Sequence, residues 1–207
     1  MSQAKVLRTD SALIQIVDAV LAEGTRRCGP WLVCRPGCCQ CCTGVFAINQ
    51  LDAARLRQGI ANLERTAPSR ARAIRTRARD AVSRWTASFP GNVETGILDP
   101  AITETGSAAE LRFAEFGNDE VCPVLDPATG QCELYDSRPM TCRTFGPPVR
   151  SEDGLGVCEL CFHGASDAQI AACEIVVGPD DLEAETLKRL EKESGTCGQT
   201  TVAYSVR

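Results

Sequence analysis

The sequence predicts a mainly α-helical, cysteine-rich single domain with a small β-hairpin. Three observations lead to this fold class. Several stretches of the 207-residue chain repeat apolar side chains every three or four residues, which is the period of an amphipathic helix. One stretch has two short apolar runs joined by a turn, which is typical of a hairpin. Thirteen residues are cysteine whereas aromatic residues make up only 5%, so the core is poor in large side chains.

The first predicted element is an amphipathic helix over residues 10–23. Asp10 or Ser11 can cap its start. The apolar side chains that recur at helical spacing are Leu13, Ile16, Val17, Val20 and Leu21. Gly24 is expected to end the helix, because glycine readily adopts the conformation that follows a helix C-terminus.

A helical hairpin is predicted over about residues 50–88, between the two cysteine groups at 28–42 and 122–161. Asn49 can cap its first helix, and Pro68 separates the two helices. A packing seam runs along the second helix through Ala71, Ile74, Ala78, Ala81 and Trp85. Arginines border the seam: Arg70, Arg77 and Arg84 on one side, and Arg72, Arg75 and Arg79 on the other. An acid-paired or solvated helix face is the preferred interpretation of these arginines.

The rest of the chain predicts shorter elements. Residues 88–110 predict a surface connection, and residues 111–116 fit either a short strand or a turn of helix. The β-hairpin is predicted over residues 122–135. A helix is expected to run past Cys173, and a terminal helix is predicted over residues 179–195 because its first turn is acidic and its last turn basic.

The segment from Cys34 to Cys42 holds five of the thirteen cysteines. Adjacent cysteines rarely bond to each other, because a disulfide requires α-carbons about 5.5 Å apart. A metal centre tolerates the crowding, since its positive charge draws several thiolates to one point. The N-terminus lacks a signal peptide and no apolar run could span a bilayer, so a soluble cytoplasmic protein without membrane contact is expected. A disulfide framework is therefore the disfavoured alternative.

A second cysteine group begins with Cys122 and Cys132 in the predicted β-hairpin. Cys142 follows Arg138-Pro139 near the first turn of a short helix, where exposed amides and the helix dipole favour a thiolate. Cys158 and Cys161 then form a CxxC pair.

Together the two groups resemble the YkgJ-type cysteine-cluster family, described as zinc- or iron-chelating, whose domain also occurs in flagellin lysine N-methylases. The resemblance rests on the crowded first motif and on three segments: Cys122-Pro-Val-Leu, Gly130-Gln-Cys132-Glu-Leu-Tyr135, and Arg138-Pro139-x-x-Cys142-Arg143-x-Phe145. These cover about half of the chain and imply a metal centre. An additional cysteine (Cys39), Gln40 and Gly146-Pro147-Pro148 depart from the family pattern, which leaves Cys158 and Cys161 both as candidates for the last ligand.

The predicted metal ligands are Cys34, Cys38, Cys41, Cys42, Cys122, Cys132, Cys142, Cys158 and Cys161. Cys39, Arg143 and His163 are predicted to lie around the metal without binding it, with ligation by His163 as the weaker alternative. Cys197 is expected to be an incidental thiol.

Four thiolates suit either structural zinc or a [4Fe–4S] cluster, and eight would suit two such centres. Cys38 and Cys41 stand at a ferredoxin-like separation, and two regular CxxC knuckles are lacking, so iron–sulfur is favoured and zinc is the alternative. The main hypothesis is a metal-binding protein whose cluster serves redox or metal-dependent chemistry. Whether it is an iron–sulfur oxidoreductase or an accessory protein is left open, and its redox or protein partner is unknown.

The second hypothesis is a zinc-stapled module that binds an acidic protein or nucleic acid through the arginine-rich helical hairpin. Residues 1–100 carry 14 basic and 8 acidic side chains, or +6, whereas residues 101–207 carry 8 and 19, or −11. Nucleic-acid binding is disfavoured because the whole chain has a net charge of −5 and shows no aromatic interleaving. A self-contained methylase is also disfavoured, because no glycine-rich nucleotide fingerprint follows a strand.

Overall fold

The computed structural model describes residues 3–35, 37–151, 154–177 and 182–207. Within these ranges it is mainly helical with two small antiparallel hairpins, which confirms the predicted fold class. Its helices are α1 (Gln3–Cys28), α2 (Gln50–Thr66), α3 (Pro68–Trp85), α4 (Ala108–Ala114), α5 (Met140–Thr144), α6 (Asp167–Ala172), α7 (Leu182–Ser194) and α8 (Val202–Val206). Its strands are β1 (Gly91–Asn92), β2 (Ile97–Leu98), β3 (Val149–Ser151) and β4 (Gly154–Gly156). No described helix is both long and apolar enough to cross a membrane.

Backbone contacts group the chain into two compact units. The first unit comprises Met1–Pro36 and Met140–Ser194, and the second comprises Gly37–Pro139 and Gly195–Arg207. Each unit is therefore built from two separate stretches of sequence, and the chain passes from one unit to the other three times.

The core of the second unit is built on α2, α3 and α8, which pack against one another. Asn49 caps α2 as expected, because its side-chain oxygen accepts hydrogen bonds from the backbone N–H groups of Leu51 and Asp52. The seam predicted along α3 is confirmed, since all five of its side chains are buried. Helix α8 was not predicted, and its five residues are all buried.

The connection that follows α3 contains regular structure. Strands β1 and β2 pair in antiparallel register, with Gly91 opposite Leu98. Residues 111–116 overlap α4, which Ser107 caps by accepting a hydrogen bond from the Glu110 N–H at 2.9 Å. The helical alternative for this stretch was therefore correct.

The β-hairpin predicted over residues 122–135 is longer than the strand pairing that the structure shows there. Only one antiparallel bridge forms there, between Leu125 and Cys132. Pro123 and Pro127 have no N–H group to donate to a strand ladder, which accounts for the shortness of the pairing. The segment is a tight loop, and the paired strands lie elsewhere.

In the first unit, α1 is longer than predicted and continues through Gly24. A β-carbon at Gly24 would lie 1.9 Å from Cδ1 of Ile175, so this glycine permits close packing and does not end the helix. α7 packs against α1. The residues predicted to start this terminal helix, 179–181, lie outside the described residues.

The helix expected to run past Cys173 ends before it. Ser166 and Gln169 form a capping box that starts α6, and Cys173 follows the last helical residue. Cys158 and Cys161 precede this helix in a turn.

Candidate metal centre

Four of the predicted ligands come together in the second unit: Cys41, Cys42, Cys122 and Cys132. We name these four residues the Cys41 group. The Cys122 N–H donates to the Cys42 carbonyl oxygen at 2.8 Å, and the Leu125–Cys132 bridge returns the chain to the same place. Each thiol interacts electrostatically with the other three. No disulfide bond joins these four described residues.

Two glycines allow the first motif to lie directly against the loop that carries Cys132. Gly37 and Gly130 both have positive φ, at +91° and +66°. A β-carbon at Gly130 would lie 3.2 Å from the Gly37 carbonyl oxygen, so the two backbones are in close contact. Asp126 stabilises the loop, because its carboxylate accepts hydrogen bonds from the Ala128 N–H at 3.0 Å and the Thr129 hydroxyl at 2.7 Å.

The four thiols differ strongly in acidity. A hydrogen bond from the Cys42 thiol, with a smaller effect of the Arg138 charge, lowers the pKa of Cys41 to about 6. The same hydrogen bond, with burial, raises the pKa of Cys42. Burial raises the pKa of Cys122 to about 12 and also raises the pKa of Cys132. At neutral pH the group therefore contains one thiolate and three thiols, so a metal bound by all four must displace protons.

Arg138 is the positive charge beside this group, a role that the sequence prediction did not assign to it. Its Nε donates to the Tyr135 carbonyl oxygen at 2.9 Å, and its guanidinium lies 3.5 Å from the centre of the Tyr135 ring. Sequence analysis could have singled out this contact, because Tyr135 and Arg138 both lie in the segments that carry the family resemblance.

The other two cysteines of the first motif in this unit are Cys38 and Cys39. Cys38 is half-buried, whereas Cys39 is exposed. Cys39 precedes the short 3-10 turn Gln40–Cys42, and its carbonyl oxygen accepts a hydrogen bond from the Cys42 N–H at 2.9 Å. The backbone of Cys39 thus positions the adjacent pair Cys41 and Cys42.

The remaining predicted site residues belong to the first unit. Cys34 is exposed beside Gly146, where a β-carbon would lie 3.0 Å from the Cys34 sulfur. Cys142 is half-buried in α5. Arg143 is buried and donates two hydrogen bonds to the Asp18 carboxylate, at 2.7 and 3.0 Å. His163 is exposed in a turn.

Cys158 and Cys161 are buried with Cys28 and Cys173 in a separate cluster of the first unit. We name these four residues the Cys28 group. The sequence prediction gave no role to Cys28 or Cys173. Burial and contact with the Cys173 thiol together raise the pKa of Cys28 to about 11. Six of the nine predicted ligands are thus divided between two groups of thiols, and Cys34, Cys38 and Cys142 belong to neither group.

In the described part of the chain, no three His, Cys, Asp or Glu side chains are close enough to hold one metal ion. The donor atoms of the Cys41 group nevertheless suit zinc, iron and iron–sulfur clusters, all of which thiolates bind. A metal ion would therefore have to draw the thiols closer, whereas a cluster spreads its ligands over several metal atoms.

Comparison with protein-family models matches residues 33–162 to the family named CxxCxxCC, described as "Putative zinc- or iron-chelating domain". The match includes the whole Cys41 group and confirms the expected cysteine-cluster family. Neither the search of the curated proteins nor that of the solved structures found a match. Because more than half of the sequence fits the family model, the chain belongs to the CxxCxxCC family of zinc- or iron-chelating domains.

Proposed function

We propose that the protein binds an iron–sulfur cluster of the [4Fe–4S] type through the Cys41 group, and that this cluster serves redox or metal-dependent chemistry. The observation that supports the proposal is the meeting of Cys41 and Cys42 with Cys122 and Cys132, which come from motifs about 80 residues apart. Four thiolates are the usual ligand set of such a cluster.

The spacing of the four thiols favours a cluster over a single ion. One zinc ion holds every sulfur at about 2.3 Å and therefore needs all four very close together. The thiols of the Cys41 group interact with one another, yet no three of the described metal-binding side chains converge that tightly. A cluster places each thiolate on a different iron atom, so a looser arrangement is suitable.

The surroundings of Cys122 would allow a partner or small substrate to approach. An open groove of about 790 Å³ passes this residue. Charged side chains of both signs line it, among them Arg77, Asp80, Arg84 and Glu120. Exposure of this kind affects the reduction potential of a cluster and its access to electron-transfer partners.

The test is elemental analysis, with a visible spectrum, of full-length protein purified without oxygen. We expect iron and acid-labile sulfide, and a broad brown absorption that bleaches reversibly with dithionite. Cys41→Ser and Cys122→Ser should lose most of the iron and the colour. Cys197→Ser is the matched control, because this thiol is exposed and outside the Cys41 group, and it should keep both. A colourless wild-type protein with stoichiometric zinc would contradict the proposal.

The alternative function, a zinc-stapled module that binds an acidic partner through the helical hairpin, has less support. Arg70 and Arg77 both form ion pairs with Glu133. Arg84 pairs with Glu120, and Arg75 pairs with Glu64. Four of the bordering arginines thus already have acidic partners within the second unit, which reduces their availability to an external one.

A further inference from the structure

Two thiols of the Cys28 group, those of Cys28 and Cys173, lie outside the region that matches the family model. That region begins at residue 33 and ends at residue 162. Both cysteines are buried, at 0% and 4% exposed. The chelating motifs of the family therefore do not account for this pair, although its side chains meet inside the first unit.

The two thiols are in direct contact. Sγ of Cys28 lies 3.9 Å from the carbonyl oxygen of Cys173, and the two thiols share a hydrogen bond. Both residues are free thiols in the structure. Cys161 also acts on Cys28, but more weakly than Cys173 does. Because a disulfide forms only between sulfurs that approach each other closely, Cys173 is the better placed of these two to bond with Cys28.

Contacts next to the pair hold its two segments together. One cysteine is the last residue of α1, and the other directly follows α6. Arg27 donates from Nη2 to the Glu174 carbonyl oxygen at 3.0 Å. One turn earlier in α1, Gly24 lets Ile175 pack against the helix. Since the neighbours of both cysteines are fixed to each other, each sulfur meets the other at a high effective concentration.

The surroundings of the pair are apolar. Partly buried hydrophobic residues cover the cluster: Trp31, Leu32, Ala165 and Ile170. An ionised thiolate is poorly stabilised in such surroundings, whereas a disulfide carries no charge. Burial also makes the two thiols slow to react, because the thiolate is the reactive form of cysteine. We therefore expect them to respond to sustained oxidation, after the exposed thiols.

The pair connects the two stretches of sequence that build the first unit. Cys28 belongs to the stretch Met1–Pro36, and Cys173 belongs to Met140–Ser194. The two residues are 145 positions apart in the chain. A covalent bond across so long a loop restricts the unfolded chain strongly, so it stabilises the folded unit.

We propose that Cys28 and Cys173 form a reversible disulfide, which joins the two stretches of the first unit under oxidising conditions. The oxidant is a small peroxide, such as hydrogen peroxide, which can reach buried thiols when the six-residue helix α6 opens locally. The bond forms within the protein and involves neither the Cys41 group nor its metal.

The oxidation balances as follows from the chemistry of cysteine. One thiol attacks a peroxide oxygen, the O–O bond breaks, and the sulfur becomes a sulfenic acid while the first water leaves. The second thiol attacks that sulfur, so that the S–S bond forms, the S–O bond breaks and the second water leaves. Two thiols thus lose two electrons and two protons, and one hydrogen peroxide becomes two waters. A dithiol reductant reverses the reaction by exchange and is itself oxidised to a disulfide.

The first test maps disulfides in full-length protein treated with hydrogen peroxide. The peroxide is removed with catalase, the remaining thiols are blocked with iodoacetamide, and peptides are analysed by mass spectrometry without a reductant. We expect a peptide that joins Cys28 to Cys173 in most chains, and we expect dithiothreitol to separate it. Cys197→Ser is the control, because this exposed thiol is outside the pair, and it should keep the joined peptide.

Two results of this mapping would overturn the proposal. One is that Cys28 and Cys173 stay free after exposed Cys197 has been oxidised completely. The other is that Cys28 is joined to Cys158 or Cys161 instead. The mapping reads a bond between two named peptides in wild-type protein, so neither the identity of the metal nor the folding of a variant affects it. The proposed function is judged separately, from the iron and sulfide of the untreated protein.

The second test compares thermal unfolding of wild type and Cys173→Ser after the same peroxide treatment. Oxidised wild type should have the higher Tm, by at least about 5 °C, because the bond closes a long loop. Dithiothreitol should remove this difference. Any damage by peroxide to the metal centre affects both proteins equally. Equal Tm values in the oxidised proteins, although the joined peptide is present in wild type, would contradict a bond that fastens the first unit.

Discussion

Cys41 and Cys42 are adjacent in sequence but opposite in acidity. One hydrogen bond between their thiols lowers the pKa of Cys41 and raises that of Cys42. The first stays ionised at neutral pH and is therefore the natural first ligand for an incoming metal ion. The proton on the second must leave before all four thiols can bind.

This difference predicts the order of thiol reactivity in metal-depleted protein that retains its helical circular dichroism. At pH 7 Cys41, with a pKa of about 6, should react with iodoacetamide at least about tenfold faster than Cys122, with a pKa of about 12. Lowering the pH to 5 should slow the modification of Cys41 by about tenfold, because its thiolate becomes protonated. Peptide mass spectrometry at several times measures both rates, with exposed Cys197 as a reference for access. Equal rates at Cys41 and Cys122 would contradict the assigned acidities.

Sequence reasoning named all four members of the Cys41 group, and it named Arg143 but not Arg138. Arg143 was expected near the metal, yet its guanidinium binds Asp18 on α1. Arg138 instead supplies charge to Cys41 and Cys132. Both arginines are in the same short motif, and only the direction of each side chain distinguishes them. Spacing along a sequence does not determine that direction.

At the scale of elements, Gly24 is a glycine inside a helix that allows another segment to pack closely against that helix. Gly24→Ala adds helix propensity of about 1 kcal/mol but forces a β-carbon against buried Ile175. Overpacking of this kind costs about 1–3 kcal/mol, so we expect a net loss of stability in urea unfolding. In an Ile175→Ala background, where the clashing atoms are absent, Gly24→Ala should be neutral or stabilising. An equal loss in both backgrounds would contradict the packing explanation.

The ion pair between α3 and the loop before Cys122 predicts a pH-dependent contribution to stability. Arg84 donates to both oxygens of Glu120 at 2.7 and 3.0 Å, and this contact lowers the pKa of the carboxyl group. A lowered pKa in the folded state stabilises the protein above the pKa of the unfolded chain. That stability is lost as the pH falls through the folded value.

Glu120→Gln should therefore reduce the free energy of unfolding by up to about 1 kcal/mol at pH 7, and less in high salt. Below about pH 4 the difference from wild type should shrink, because the carboxyl group becomes protonated. Urea titrations at pH 7 and pH 3.5 measure this difference. Asp119→Asn, a change at the neighbouring exposed carboxylate, is the control and should have little effect at either pH. A loss that persists at low pH would indicate a role other than charge.

Elements whose apolar side chains recur at a regular spacing were predicted well, whereas elements without such a spacing were not. The buried seam of α3 follows from residues spaced three and four apart. By contrast α8 is a five-residue helix that is buried on every side, so it has no alternation of polar and apolar residues to reveal it. Strands β1 and β2 have two residues each, too few for any period. The pairing of Cys28 with Cys173 depends on contacts between segments about 145 residues apart, which no local pattern encodes.

On the scale of the whole molecule, the region matched by the family model lacks several helices of both units. Residues 33–162 omit α1, α6, α7 and α8. α8 contributes Val202, Ala203 and Val206 to the core of the second unit, each no more than 6% exposed. We expect a fragment of residues 33–162 to lack cooperative unfolding and to show poorly dispersed amide signals in nuclear magnetic resonance spectra. A fragment with native-like spectra would contradict this expectation.

Because each unit is built from two separate stretches of sequence, the elements that pack together in it are synthesised at different times. All four members of the Cys41 group are synthesised well before α8, which contributes to the core of the same unit. The first unit likewise needs α7, which packs on α1. The first unit cannot close before α7 is made, nor the second before α8, so a metal centre that depends on the closed fold is completed only after all of its ligands have been synthesised.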